Sequence, residues 1–328
     1  MKSIYSKKLK RGDEIRIIAP ASSVSTFKPK SLIKNAISRL NNLGFNVTIS
    51  KNAYEKDIFG SSSIKSRIDD LRKAFIDKKV KAIICARGGF NSNDLLPHID
   101  WAVIKNNPKP IIGYSDITVL SNAIFAKTGL IAYSGPSFST LGMEETKGIV
   151  SYITEYFIKC LTNDSPYQIN NSKYFSERKI KARKNKGYEV IQEGNATGTI
   201  IGGNLCSLNL LQGTEYMPSL KNSILFIEED DFGGKLTPEE FSRNLTSLLQ
   251  TKESKFIRGI VLGRFQDGAG MTVKKMKHIM KDKQISKSIP IIYNVDFGHT
   301  TPMIIFPIGG RARIEAKGKT VQITILKH

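Results

Sequence analysis

The sequence predicts an α/β protein with two domains, the first built on a parallel sheet with helices on both faces. Short apolar runs alternate with segments of helical periodicity through the first half of the chain, which is typical of βαβ units. The length of 328 residues exceeds what a single hydrophobic core usually supports. A change in composition after residue 162 separates this half from a second, mixed α/β half.

The first domain, residues 1–162, contains five predicted strands and four predicted helices. The strands are buried apolar runs, predicted at residues 14–20, 45–50, 81–86, 110–114 and 130–133. The helices carry apolar residues three or four positions apart, and they are predicted at residues 31–43, 64–75, 117–126 and 144–160. Ligands bind at the carboxyl ends of parallel strands, so the turns that follow these strands are the expected location of a site.

Residues 163–187 are rich in Asn, Ser and Lys and contain the basic run 177–186. We predict an interdomain linker with an exposed, solvated basic loop, and the alternative is a lid over an anionic ligand. Residues 188–328 form the predicted second domain. Its strands and helices are mixed, and the Gly-rich, β-branched tail at 304–325 predicts antiparallel strands.

The chain carries 50 Lys and Arg against 29 Asp and Glu, a formal net charge of +21. Such an excess suggests nucleic acid, a membrane surface or an anionic substrate as a partner. The lysines are dispersed and no nucleic-acid recognition motif is present, so a biased composition is the favoured explanation. We expect no obligate nucleic acid, and a non-catalytic basic nucleic-acid-binding protein is the alternative from another class.

Three cysteines without a CxxC pair predict neither a disulfide framework nor a metal site. The strands are not followed by a GxGxxG fingerprint, and no cofactor is expected. No apolar run approaches the roughly 20 residues of a membrane span, and the first residues lack the apolar core of a signal peptide. The expectation is a cytoplasmic protein without a membrane partner.

The stretch KPIIGYSDIT, from Lys109 to Thr118, offers a candidate nucleophile. A buried strand that turns sharply into a helix lifts one side chain out of the sheet edge, among backbone N–H groups. Ser115 occupies that position. A serine hydroxyl there becomes a nucleophile if a neighbouring base takes its proton.

The chain offers few bases for this serine, because it has four histidines. His299 follows a buried strand, next to Gly298, and is the best candidate by elimination. The base needs a carboxylate to orient it, and Glu228 ends another apolar strand. Three neighbours compete for that role, namely Glu229, Asp230 and Asp231.

An oxyanion hole needs two backbone donors that point at one position. The turn Gly88-Gly89 follows the third strand, and the amide of Asp116 follows Ser115. Both lie at the same predicted sheet edge, so they could converge. Together these residues supply every role of a Ser–His–Glu hydrolase.

Several stretches resemble a family of serine peptidases, the LD-carboxypeptidases of murein recycling together with the microcin C immunity proteins. The matching stretches run in order along the chain, and they are ARGGFNSNDLLPHIDW from Ala86, KPIIGYSDITVL from Lys109, GLIAYSGP from Gly129, GTIIGGNLCSLNLLQGTEYMPSL from Gly198, ILFIEEDD from Ile224, GIVLGRF from Gly259 and NVDFGHTTPMIIFPIGGRARIE from Asn294.

The resemblance places the family's nucleophile on Ser115, its glutamate on Glu228 and its histidine on His299. It implies a Rossmann-like first domain, a second domain with a flattened barrel-like sheet, an active site between them, and a homodimer. Asn91 and the NVDFGHT stretch look more like the immunity branch, which cleaves the amide between a peptide's last residue and a nucleotide. The expected substrate is thus a peptidyl-nucleotide or aminoacyl-nucleotide, with immunity or detoxification as the role; the alternative is a murein tetrapeptide.

One departure concerns nucleotide recognition. The immunity branch has a tryptophan in the linker that stacks on the nucleobase, whereas the tryptophan of this chain is Trp101. Tyr174, Phe175 or Tyr188 are the candidates for replacing it by stacking. The basic run from Arg178 is a candidate for contacting a phosphate.

Overall fold

The computed structural model describes residues 2–177, 181–283 and 285–328. Sixteen strands in this part of the chain form two main sheets and a hairpin. In chain order they are β1 Glu14–Ile18, β2 Asn46–Ile49, β3 Val80–Cys85, β4 Ile111–Gly113, β5 Ala132–Ser134, β6 Tyr167–Gln168, β7 Tyr174–Phe175, β8 Arg183–Lys184, β9 Glu189–Gln192, β10 Gly194–Asn204, β11 Ser223–Glu228, β12 Gly259–Gly263, β13 Ile291–Val295, β14 Phe306–Ile308, β15 Arg311–Lys317 and β16 Thr320–Lys327.

Nine α-helices accompany these strands in the described residues. They are α1 Ser31–Asn42, α2 Ile64–Ile76, α3 Trp101–Asn106, α4 Ile117–Thr128, α5 Phe138–Leu141, α6 Ile149–Thr162, α7 Leu205–Asn209, α8 Thr237–Leu249 and α9 Val273–Lys281. The helices predicted in the first half correspond to α1, α2, α4 and α6. The short helices α3 and α5 were not predicted, because six and four residues show too little periodicity.

The first sheet has the strand order β14-β5-β4-β3-β1-β2. Neighbouring strands from β5 to β2 are parallel, as the alternation of strands and helices predicted. Adjacent β3 and β4 therefore end at the same edge, which places the turns after Cys85 and Gly113 side by side. The sixth strand, β14, comes from the end of the chain and pairs antiparallel with β5.

The second sheet is larger and mixed, in the order β6-β16-β15-β10-β11-β12-β13-β9. Strands β10 to β13 are parallel, and the strands outside them pair antiparallel. Strand β9 also contacts β15 and β16, so the sheet curls towards closure. The mixed α/β fold with a parallel first sheet is confirmed. The division of the chain into two domains at residues 163–187 stays a prediction. Strand β14 follows this division in the chain but belongs to the first sheet.

Helix α4 joins the two sheets through hydrogen bonds that are completely buried. The amide nitrogen of Asn122 donates to the carbonyl oxygen of Gly202 at 2.8 Å, and the Gly202 N–H donates back at 3.4 Å. The hydroxyl of Thr118 accepts from the N–H of Asn204 at 2.9 Å. At Gly203 the φ angle is +122°, and a Cβ there would lie 2.4 Å from the Thr118 hydroxyl oxygen. Only glycine permits this close approach of helix and strand.

Part of the segment between the two predicted domains is attached to the rest of the protein, as far as the structure describes it. Strands β7 and β8 form a hairpin, and Ser176 pairs with Thr301 in a backbone bridge. Glu177 is buried and pairs with Arg183 at 2.8 Å. The described lysines of the basic run, Lys181, Lys184 and Lys186, are exposed, and the solvated loop itself stays a prediction.

The anchor of this segment is Asp296, a completely buried carboxylate three residues before His299. It pairs with Arg264 at 2.8 Å and accepts from the backbone N–H and hydroxyl of Ser172 at 2.7 and 2.9 Å. A buried charge is tolerated when it is paired and hydrogen-bonded in this way. The residues before the hairpin are thereby tied to the strand end that carries the histidine.

None of the helices in the described ranges is both long enough and apolar enough to cross a membrane.

We predict that Asn122→Ala weakens the attachment of α4 to β10. The change leaves the buried N–H and C=O of Gly202 without their side-chain partner, at about 1–3 kcal/mol for each unsatisfied group. Equilibrium urea denaturation measures the loss in the free energy of unfolding. Asn209→Ala is the matched control, because its bond to the Asn244 carbonyl is only partly buried. Equal losses in both variants would contradict the importance given to this contact.

Candidate active site

Ser115 lies in the turn between β4 and α4 with a φ angle of +61°. This left-handed conformation is unfavourable for a residue other than glycine, by roughly 1–3 kcal/mol, and it persists where the surrounding structure enforces it. Here the turn is closed by the bond from the Thr118 N–H to the Ser115 carbonyl at 2.9 Å. The sharp strand-to-helix turn expected from the sequence is present.

The structure brings Ser115, His299 and Glu228 into one hydrogen-bonded line. The Nε2 atom of His299 lies 3.0 Å from the Ser115 Oγ, and its Nδ1 atom lies 2.7 Å from the Glu228 Oε2. The glutamate side chain is only 3% exposed and the histidine 16%. When Nδ1 donates to the carboxylate, Nε2 is left as the acceptor for the serine proton. The ring of Tyr114 flanks the histidine, with centroids 5.4 Å apart.

Two glycines make room for the glutamate. Gly298 has a φ angle of +102°, and a Cβ there would lie 2.8 Å from the Glu228 Oε2. Gly263, at the end of β12, would place a Cβ 2.8 Å from the Cβ of Glu228. Strands β11 and β13 flank β12, so the glutamate reaches the histidine across the end of that central strand.

Of the carboxylates that competed with Glu228 in the sequence, Glu229 makes its hydrogen bonds away from the histidine. Glu229 points to the other side of the strand, where it accepts from the Asn204 amide at 2.8 Å and the Cys206 N–H at 3.0 Å. Burial, followed by repulsion from Glu228 and Asp230, raises the pKa of Glu229 to about 8. At neutral pH it therefore carries a proton for most of the time.

The pKa of His299 is raised above its ordinary value. Burial on its own lowers it, but the Glu228 carboxylate opposes burial by charge and by hydrogen bonding, and the Asp230 carboxylate adds to this. The imidazolium that forms when the ring takes up a proton is thus stabilised in place.

The predicted oxyanion turn lies against the serine. A Cβ on Gly88 would be 2.8 Å from the Ser115 Cβ and 3.3 Å from the backbone nitrogen of Asp116. The Asp116 carboxylate is buried and accepts from the N–H groups of Asn91 and Ser92 at 3.2 and 3.0 Å, which fixes the turn after Gly89. Burial raises the pKa of Asp116, and these hydrogen bonds oppose that shift.

The four predicted substrate-binding residues have different positions. Asn91 supports the glycine turn, and its side-chain oxygen accepts from the Ser61 hydroxyl at 3.4 Å. Tyr174 lies in β7 with the Lys147 ammonium group 4.9 Å from its ring. Tyr188 packs against the core with a buried hydroxyl, which disfavours a role in stacking on a ligand. Arg178 lies outside the described residues.

Two contributions to the site were not predicted from the sequence. Asp296 fixes the loop of His299, and the only signal for it was a carboxylate directly after a buried strand. Thr301 couples the same loop to the linker through Ser176. In the described parts of the chain, no cluster of three or more His, Cys, Asp or Glu side chains is arranged to hold a metal ion.

Family models of the LD-carboxypeptidase N-terminal and C-terminal domains match residues 15–135 and 197–314. The chain belongs to the LD-carboxypeptidase family. It is therefore a hydrolase of the peptidase type, and the resemblance seen in the sequence is confirmed. The two matched ranges contain the serine turn and the Glu228 and His299 loops, respectively.

Curated members of the LD-carboxypeptidase family match this chain over almost its full length. A putative carboxypeptidase, YocD of Bacillus subtilis, is 46% identical, covering 99% of this chain and 100% of the relative. The microcin C7 self-immunity protein MccF of Escherichia coli is 30% identical, covering 95% and 93%. A probable murein peptide carboxypeptidase of B. subtilis is also 30% identical, covering 98% and 97%.

Solved structures of the family have the same fold. An MccF-like protein from Bacillus anthracis superposes with a TM-score of 0.97 at 48% identity, covering 99% of this chain and 100% of that one. The protein MccF in complex with aspartyl sulfamoyl adenosine superposes with a TM-score of 0.84 at 30% identity, covering 99% of each chain.

We predict that Gly88→Ala inactivates the enzyme without unfolding it. The new methyl group would press on the Ser115 side chain, 2.8 Å away, and displace the hydroxyl from the histidine. Such a displacement lowers kcat by about 10²-fold or more. Single-turnover assays with a cleaved substrate measure the loss, and thermal unfolding reports stability. A variant that keeps full activity would show that the serine does not need this turn.

We predict opposite results for amide substitutions at two neighbouring carboxylates. Glu228→Gln removes the acceptor for the histidine Nδ1–H and lowers kcat by about 10³-fold or more. The mostly protonated Glu229 already resembles an amide, so Glu229→Gln keeps most of the activity.

The dependence of kcat/KM on pH provides a second measurement. His299 must be neutral to accept a proton, so activity rises with pH through its pKa, and the raised value places this rise above the usual value of about 6.5. Without the Glu228 charge the rise moves to lower pH. If kcat/KM rises at the same pH in Glu228→Gln as in the unmodified enzyme, the pairing of Glu228 with His299 is contradicted.

Proposed function

We propose that the protein is a Ser–His–Glu amide hydrolase that cleaves a C-terminal amide of aminoacyl-nucleotides or peptidyl-nucleotides. The observation that carries this proposal is the line of hydrogen bonds from Ser115 through His299 to Glu228, at 3.0 and 2.7 Å. The strained serine turn and the adjacent Gly88 add the other parts that acyl transfer needs.

In the first step, His299 Nε2 takes the proton of Ser115 as Oγ attacks the carbonyl carbon of the scissile amide. The negative charge that develops on the carbonyl oxygen is stabilised by backbone N–H groups near Gly89 and Asp116. The C–N bond then breaks, and the imidazolium gives its proton to the leaving nitrogen. Glu228 stabilises the imidazolium throughout and holds its orientation.

In the second step, water hydrolyses the ester on Ser115. His299 takes a proton from the water molecule, whose oxygen bonds to the acyl carbon. The ester C–O bond breaks, and the serine Oγ recovers its proton from the imidazolium. The products are the free acid and the released amine, and the enzyme returns to its starting state.

The nucleotide substrate is supported by the family members with similar structures. MccF, 30% identical over nearly the whole chain, has been solved with aspartyl sulfamoyl adenosine. This ligand contains an acyl group joined through nitrogen to a nucleoside, which is the bond type that the proposed mechanism cleaves. The role that follows is detoxification of such compounds.

A second substrate class is favoured by a different relative. The probable murein peptide carboxypeptidase of B. subtilis shares the same 30% identity over almost the whole chain. For a murein tetrapeptide the same groups would attack the last peptide bond and release the terminal D-amino acid. The same catalytic groups would act on both substrates, which differ in the leaving group and in the acyl part.

A substrate panel tests this proposal. An aminoacyl sulfamoyl adenosine and a murein tetrapeptide are each incubated with the enzyme, and products are identified by mass spectrometry. We expect cleavage of the nucleoside compound, and a loss of about 10⁴-fold or more in Ser115→Ala. Cleavage of the tetrapeptide alone would replace the proposed substrate with the second. Full activity in Ser115→Ala would contradict the mechanism for both.

A further inference from the structure

Two phenylalanine rings lie exposed at the edge of the candidate active site. Phe90 directly follows the glycine turn, and Phe232 lies four residues after Glu228. They are 78% and 75% exposed, although they contact each other edge to face with ring centroids 5.3 Å apart. The Phe90–Phe232 pair therefore connects the loop beside the serine with the loop that begins at the glutamate.

The position of the pair follows from the reach of the chain. Gly88 is in direct contact with Ser115, and two further residues extend at most about 7 Å, so Phe90 begins within that distance of the glycine. On the other side, Phe232 begins within about 14 Å of Glu228. Both rings are thus close enough to contact a substrate whose carbonyl carbon lies at the serine.

Both loops are held firmly by hydrogen bonds. The Arg67 side chain donates to the Asn91 carbonyl at 2.8 Å, and the neighbouring N–H groups donate to Asp116. The N–H of Phe232 donates to the Asp230 carboxylate at 2.9 Å. The backbone that carries each ring is consequently held in place, which lowers the entropy that these loops lose when a ligand binds.

Other exposed apolar side chains lie on neighbouring segments. Ile58 and Phe59 lie on a turn beside Ser61, whose hydroxyl contacts the Asn91 side chain. Leu236 lies four residues after Phe232 and is also exposed. An exposed pair of rings in mutual contact beside the candidate nucleophile indicates a binding surface, whereas isolated exposed apolar residues need no explanation.

We propose that the Phe90–Phe232 pair binds an apolar side chain of the residue whose carbonyl group Ser115 attacks. This inference rests on the proposed function. His299 must give its proton to the leaving nitrogen, so the leaving group lies on the histidine side of the carbonyl. The acyl residue then lies on the other side of the carbonyl group. That side faces the loop whose N–H groups hold the carbonyl oxygen, which is the loop of Phe90. The carboxylates of Asp230 and Asp231 precede Phe232 and disfavour an acidic side chain there.

The test compares substrates that differ only in the acyl residue. Leucyl, alanyl and aspartyl sulfamoyl adenosine form one series, and murein tetrapeptides with the same changes before the scissile bond form the other. The series used is the one that the unmodified enzyme cleaves. We expect kcat/KM for leucyl to exceed that for alanyl by about 10-fold or more, with aspartyl lowest.

Phe90→Ala and Phe232→Ala each reduce the leucyl-to-alanyl ratio, and Phe232→Leu restores most of it because the apolar surface is retained. Phe256→Ala is the matched control. Its ring is 43% exposed, and its carbonyl accepts from Asn222 at the start of β11, the end opposite Glu228. This variant keeps the ratio of the unmodified enzyme.

The outcomes separate the two proposals. Failure to cleave either series would overturn both the proposed function and this inference. Cleavage without a leucyl preference, or with a ratio that Phe90→Ala and Phe232→Ala leave unchanged, would overturn the inference alone. Sedimentation velocity on the same variants identifies the competing occupant. If they dissociate a dimer and keep the ratio, a second copy of the chain covers the pair and the inference is wrong.

Discussion

The buried attachment of helix α4 to strand β10 joins the two parts of the candidate active site. Ser115 precedes α4 directly, while Glu228 and His299 follow strands of the second sheet. Asn122 and Thr118 fix the helix against Gly202, Gly203 and Asn204 by hydrogen bonds without access to water. The distance of 3.0 Å between the Ser115 Oγ and the His299 Nε2 therefore depends on the contact between α4 and β10, to which neither residue belongs.

The local pattern of residues was sufficient to predict much of the fold and the proposed catalytic residues. Apolar runs and apolar periodicity predicted strands β1 to β5 and helices α1, α2, α4 and α6. Ser115 was found because a strand-to-helix turn has a recognisable sequence, and His299 because histidine is scarce in this chain.

Other features depend on contacts between residues that are distant in the chain. The choice between Glu228 and Glu229 depends on which side of β11 faces the histidine, and Asn204 takes up the second carboxyl. The attachment of the linker could not be predicted, because Ser172 and its partner Asp296 are 124 residues apart. The aromatic pair is formed by residues 142 positions apart, Phe90 and Phe232, so no spacing rule could have indicated it.

Strand β14 has a consequence for when the enzyme becomes active. It completes the first sheet from residues 306–308, next to β5 and one strand away from the serine turn. While the chain is being synthesised, β5 has an unpaired edge until residues 306–308 emerge, and His299 emerges only shortly before them. The nascent chain therefore lacks the proposed base of Ser115 until residue 299 has been added, and the proposed hydrolytic activity can begin only after that point.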